Sequence, residues 1–194
     1  MTSRIPPKEI TGPYGALVKR FSTKMFGSVP ESLGVMWHHQ PLLRATMSLG
    51  QKIQKVHECD ESLKSFAHMA VASMLGCSWC LDFNYFMANN HGLDVERARE
   101  IPRWRESEVF TPLEREVLEY AEAMTQTPPT VTDELVESLS EQLGAAGLVE
   151  LTTVIGYANL TTRSNVALGI ESEGFAAACG LAPMAERAAV RSSA

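Results

Sequence analysis

The amino-acid sequence predicts an all-α chain of about eight or nine helices, and three observations carry that reading. Apolar residues recur at spacings of three and four along most of the chain, which is the period of one helix face. Prolines and glycines fall where helices begin and end. No stretch shows the sustained apolar–polar alternation, bounded by turn residues, that marks a strand. At 194 residues the chain is sized for a single domain, 1–194, with a substantial core.

The elements follow in order. Residues 1–13 are proline-rich and read as an irregular arm. From Tyr14, the residues Leu17, Val18, Phe21, Met25 and Phe26 form a helical stripe that Gly27 ends. Pro30 opens a short helix over Glu31–Trp37, and Pro41, favourable in a first turn, opens a longer one to about Val56. Asp60 is the expected N-cap of Glu61–Leu75, a segment so poor in charge after Lys64 that most of its faces must be buried. Gly76 interrupts it. The next helix starts at Cys77 and lasts to His91, with Gly92 as its stop. A short amphipathic piece, Asp94–Glu100, is closed by Pro102. Thr111-Pro112-Leu113-Glu114 has the form of a capping box with proline at the first helical position. Pro128-Pro129 ends that helix, Thr132 or Asp133 caps the following one, and Gly144 closes it. A last long helix runs from about Leu148 past Leu168. The Ala/Ser-rich tail, 180–194, is open between a helix docked on a neighbouring subunit and a loose end.

Composition excludes several classes of function. A formal charge of −6 disfavours nucleic acid as the main partner, because phosphate binding needs a basic face. No run of about 18 apolar residues is present, and no apolar core follows the basic residues of the N-terminus, so neither a membrane span nor a secretory signal is expected. The default compartment is the cytoplasm. There the four cysteines are not expected to form a disulfide framework, and their spacing does not match a four-ligand zinc site. No cofactor and no metal site is expected. His38-His39 is a weak cluster, because adjacent helical residues point apart.

Only Cys77 and Cys80 form a close pair, which leaves Cys59 and Cys179 as bystanders. Two cysteines separated by two residues at a helix start lie about one turn apart, within disulfide reach. The first is near unsatisfied N–H groups and the positive end of the helix dipole, and both favour the nucleophilic thiolate. Such a pair suits peroxide reduction: one sulfur is oxidised to sulfenic acid and the other condenses with it to a disulfide. The competing reading of the spacing alone is that two small apolar side chains pack in a helical core. Trp79, Phe83, Tyr85 and Phe86 read as packing residues, with an apolar substrate mouth as the functional alternative.

The stretch from Phe66 through Gly76-Cys77-Ser78-Trp79-Cys80 to Phe83, with Gly92 ending the helix, resembles the core motif of the carboxymuconolactone decarboxylase family, in its alkylhydroperoxidase D-like branch. The resemblance continues through Phe110–Thr125 and the final long helix to Asn165, and covers roughly 63–165. It implies an alkylhydroperoxidase D-like helical fold and homo-oligomers, as dimers, trimers or hexamers. It also implies thiol-dependent peroxidase or disulfide-reductase chemistry at Cys77 and Cys80, with an organic hydroperoxide or similar small substrate and an external dithiol reductant. Asn159, Arg163 and Asn165 read as structural residues holding the last helix to the cysteine helix.

The family's peroxidase motif adds a glutamate twelve positions before the first cysteine and a histidine four after the second; here those positions hold Ser65 and Asn84. Neither is a base near neutral pH. His68 follows Ser65 by about one turn and is the candidate substitute, against the blander reading of a core or interface histidine. Asp82 is rotated by about 200° from Cys80 and reads as a surface or first-turn charge. The primary expectation is therefore a thiol-dependent antioxidant enzyme. The alternatives are a redox-sensing or redox-inactive oligomer that has lost the relay, and a lactone decarboxylase-type enzyme.

Overall fold

Capping chemistry sets the helix boundaries in the computed structural model, which describes residues 3–186 and contains no strand among them. The helices are α1 (Gly12–Phe26), α2 (Glu31–Met36), α3 (Gln40–Ile53), α4 (Glu61–Leu75), α5 (Ser78–Asn90), α6 (Val95–Glu100), α7 (Pro112–Thr125), α8 (Asp133–Leu168) and α9 (Phe175–Ala178). Thr111 accepts the Glu114 N–H while Glu114 accepts the Thr111 N–H, the reciprocal box that the sequence announces. Asp60 caps α4 through the Ser62 N–H, and Gly92 carries the left-handed φ that follows α5. Gly144, at φ +69° and ψ +164°, is non-helical and divides α8 into two helices at a kink, where the sequence places the end of one and the approach to the next.

α4 is the hub. Phe66, Ala67, Met69, Ala70, Val71 and Ala72 are all at most 1% exposed, and α4 packs mainly on α8 and α7, then on α5. Each large apolar side chain so buried contributes about 1.5–3 kcal/mol. By length and composition α8 could cross a membrane, but its inward face carries Leu151, Ile155 and Ala158 into this core.

The stripe expected on α1 is split. Val18 is buried and Phe26 half-buried, while Leu17, Phe21 and Met25 are exposed. The inward face is built instead from small residues, Gly15 and Ser22 beside Val18, because Ile10 and Trp37 lie so near Gly15 that a Cβ there would sit 3.0 and 3.2 Å from them and force them to give. The tail also differs from expectation. Residues 181–186 are not helical and lie on the chain's own α5 and α6: Tyr85 donates to the Ala182 carbonyl, and the Ala185 N–H donates to the Arg99 carbonyl. The tail beyond 186 lies outside the described residues.

One buried ion pair pins α4 to α8. Lys64 Nζ lies 2.7 Å from Glu150 Oε1, with both side chains almost fully buried. The other Glu150 oxygen accepts the Glu58 and Cys59 N–H groups at 2.7 and 3.0 Å, and Lys64 also donates to the Val56 carbonyl and to Glu61. Burial alone would raise the Glu150 pKa, but Lys64 and the two N–H groups outweigh it and hold the carboxyl below its ordinary 4.5. The pair's stabilisation is therefore present above that value and is lost as the pH falls through the folded pKa.

Replacing Glu150 by alanine leaves Lys64 buried without its main partner. Urea denaturation of Glu150→Ala at pH 7 is expected to show a loss of about 3–5 kcal/mol. The acid limb of the stability profile, below about pH 4.5, should be shallower in the variant than in the parent.

Candidate functional site

The site is built at the corner between α4 and α5. Gly76 takes φ +70°, the left-handed conformation that ends α4, and the following Cys77 N–H returns to the Ala72 carbonyl at 3.0 Å. That turn puts Cys77 outside α5 as its N-cap, one residue earlier in role than the helix start expected there. Its Sγ accepts the Cys80 N–H at 3.2 Å. Cys80 then lies in the first turn of α5. The two sulfurs are joined as a disulfide with Cα atoms 5.3 Å apart, and both residues are 2% exposed. They pack on Ala72, with Trp79 and Leu81 alongside.

The candidate relay residues fall differently. Ser65 and His68 are half-buried on α4, and His68 is one turn before Ala72. Burial pushes the His68 pKa down to about 4, so its imidazole is neutral at neutral pH. It makes no hydrogen bond among the described residues, to a sulfur or otherwise. Asn84 does not face a sulfur through its amide; its Nδ2–H donates to the Cys80 carbonyl at 2.7 Å.

Two residues read from sequence as structural or superficial belong to the site. Asn165, half-buried near the end of α8, donates its Nδ2–H to Cys80 Sγ at 3.4 Å. One turn earlier, Thr162 is fully buried with a hydroxyl that has no partner among the described residues. Asp82 does point away from Cys80, but it anchors a strap. Its carboxylate accepts the Ser172 hydroxyl at 2.7 Å and the Phe175 and Ala176 N–H groups at 2.9 Å each. Ser172 N–H also donates to Ser78 Oγ, and Trp79 Nε1 donates to Glu173. Residues 172–176 are thus tied across the first turn of α5, the turn that carries the disulfide. The aromatic residues pack as the sequence suggests: Trp79 stacks on Phe83 at 4.9 Å, and Phe26, Phe86 and Phe175 close the cluster.

The remaining titratable candidates lie elsewhere. The buried Cys59 thiol is pushed up to about 11 by desolvation and then by Glu150, while Cys179 is exposed. His39 caps α3 by accepting the Leu42 N–H, and His38 contacts the Pro6 carbonyl. Among the described residues no three His, Cys, Asp or Glu side chains converge as a metal would require. Two open cavities, of about 420 and 510 Å³, lie against α1–α2 and between α3 and α8; neither is lined by a sulfur of the pair.

Residues 40–123 match the model of the carboxymuconolactone decarboxylase family. The protein YnjA of Escherichia coli (strain K12) is 34% identical over 129 residues, which cover 66% of this chain and 71% of that one. Among solved structures, a cysteine-to-alanine form of the debrominase Bmp8 in complex with 2,3,4-tribromopyrrole superposes with a TM-score of 0.78 at 20% identity, covering 92% of this chain and 96% of that one. A peroxidase-related protein from Ralstonia eutropha JMP134, described as an alkylhydroperoxidase AhpD core, gives 0.76 at 15% identity over 90% and 95% of the two chains. At these identities the two structures show a shared fold, the alkylhydroperoxidase D-like one.

Removing the strap's anchor tests what the strap does. In Asp82→Ala the reduced pair is expected to be alkylated by iodoacetamide severalfold faster than in the parent, with Cys179 as internal reference for intrinsic reactivity. An unchanged ratio would show that residues 172–176 do not limit access.

Proposed function

The chain belongs to the carboxymuconolactone decarboxylase family, and we propose that it is a thiol-dependent oxidoreductase that cycles Cys77 and Cys80 between dithiol and disulfide. The observation that carries this is Cys77 as the N-cap of α5 with its sulfur bonded to Cys80. An N-cap thiolate gains from the Cys80 N–H and from the positive helix end, and its partner is already within bonding reach. In the forward half-cycle a thiolate displaces the alkoxide of a hydroperoxide and becomes a sulfenic acid. The second thiol condenses with it, releasing water and closing the disulfide. An external dithiol then reopens the bond by exchange and is itself oxidised, so two electrons pass from reductant to substrate. In this reading the chain serves antioxidant defence as an oligomeric enzyme without a resident cofactor.

A second reading is a redox-responsive module that closes its disulfide without rapid turnover. The burial of both sulfurs, and Ser65 and Asn84 at the relay positions, favour it.

Cumene hydroperoxide consumption with dithiothreitol distinguishes the two. The enzyme reading expects multiple turnovers in the parent and only the uncatalysed background in Cys77→Ser and in Cys80→Ser. Turnover surviving in both variants contradicts it, and a single stoichiometric oxidation that then stops selects the responsive module.

A further inference from the structure

Asn165 donates to a sulfur of the pair from 85 residues along the chain. Its place is fixed independently of that contact. The Asn165 carbonyl accepts the Ile170 N–H at 3.0 Å where Gly169, at φ +68°, ends α8. The chain then runs directly into the strap that Asp82 holds. The helix end therefore fixes the backbone from which the amide reaches Cys80.

A disulfide sulfur is a weak acceptor, whereas a thiolate is a strong one. The same donor is worth more to reduced, ionised Cys80 than to the disulfide. We propose that Asn165 is a positioning residue that takes the place of the relay: it stabilises the Cys80 thiolate by donation, as the Cys80 N–H stabilises Cys77. This rests on the oxidoreductase reading above. An amide neither takes a proton from a thiol nor gives one to a leaving group. The pair is accordingly set for electrophiles that depart as stable anions, and an organic disulfide is that class. The Cys80 thiolate attacks one sulfur of the external disulfide, forming a mixed disulfide and expelling the first thiolate with the electron pair. The Cys77 thiolate then attacks Cys80 Sγ, closes the internal disulfide and expels the second. The protein loses two electrons and the substrate gains two, and the protons of Cys77 and Cys80 pass to solvent. Each leaving thiolate belongs to a thiol of pKa about 8.5 and needs no acid. The alkoxide expelled from a hydroperoxide is a far stronger base than a thiolate, as hydroxide is.

The test compares the full chain with Asn165→Ala and with the isosteric Asn165→Asp, folding being checked by circular dichroism. In a Cys77→Ser background, thiolate absorbance at about 240 nm reports the titration of Cys80 against the same background lacking Cys80. Asn165→Ala is expected to raise its titration midpoint by about one pH unit, and Asn165→Asp by more, since it sets a negative charge beside the sulfur. With both cysteines present, a tenfold loss of thiolate stabilisation makes the pair's potential about 30 mV more negative. Oxidation rates of the reduced parent by bis(2-hydroxyethyl) disulfide and by cumene hydroperoxide are each divided by the rate for free N-acetylcysteine thiolate. The enhancement should be larger for the disulfide, and should fall in Asn165→Ala. An unmoved midpoint and potential in both folded variants overturn the role of Asn165. A larger enhancement for the hydroperoxide overturns the substrate class. If neither oxidant is enhanced, the oxidoreductase reading itself fails, and the Cys80 titration still decides what Asn165 does.

Discussion

The left-handed turn at Gly76 is the constraint on which the rest of the site depends. A helix of α4's length, apolar on nearly every face, has one fixed placement in the core, and its end therefore sits at a defined depth. Glycine at φ +70° lets the chain leave α4 and begin α5 with only two intervening residues, Gly76 itself and Cys77. Any other residue there meets the steric cost of the left-handed region, roughly 1–2 kcal/mol, at the point where two sulfurs must be brought into register. The Lys64–Glu150 pair holds the opposite end of the same helix to α8. Together they fix α4 between α8 and α5, and so fix the distance from Asn165 to Cys80.

Stabilisation of the sulfurs in this protein is built from donors rather than from bases. Cys77 receives a backbone N–H and Cys80 receives a side-chain amide. Neither donor titrates near neutral pH. His68, the nearest histidine to the corner along α4, is kept neutral by burial. A site of this kind stabilises the ionised thiols in the ground state and leaves proton movement to water. Access is a separate matter: the strap across α5 is tied by Asp82 and by Trp79, residues that occupy the outward side of the same turn.

Much of the fold is legible in the sequence because its determinants are local. Asp60, Thr111 with Glu114, Gly76 and Gly92 act within three or four residues of where they stand, and the sequence carries them in full. The cysteine pair and its family resemblance are legible for the same reason. What escapes is nonlocal. Leu17 and Phe21 share the spacing of a buried stripe, yet Trp37 selects the small face of α1 instead. Lys64 and Glu150 are 86 residues apart and each reads as an ordinary charge. Helical rotation does turn Asp82 away from Cys80, but the backbone N–H groups of Phe175 and Ala176 that meet it come from the far end of the chain. Asn165 differs from Asn159 and Arg163 in nothing the sequence shows. Those two bond Thr125, while Asn165, at the last turn of α8, reaches the sulfur.

The reduction potential of the pair in the intact protein shows most directly whether Cys77 and Cys80 form a working redox couple. It can be measured by thiol counting after equilibration in graded dithiothreitol buffers. A working couple gives one two-electron transition within the range of catalytic dithiols, roughly −180 to −270 mV. A transition below about −300 mV, where structural disulfides lie, would contradict it.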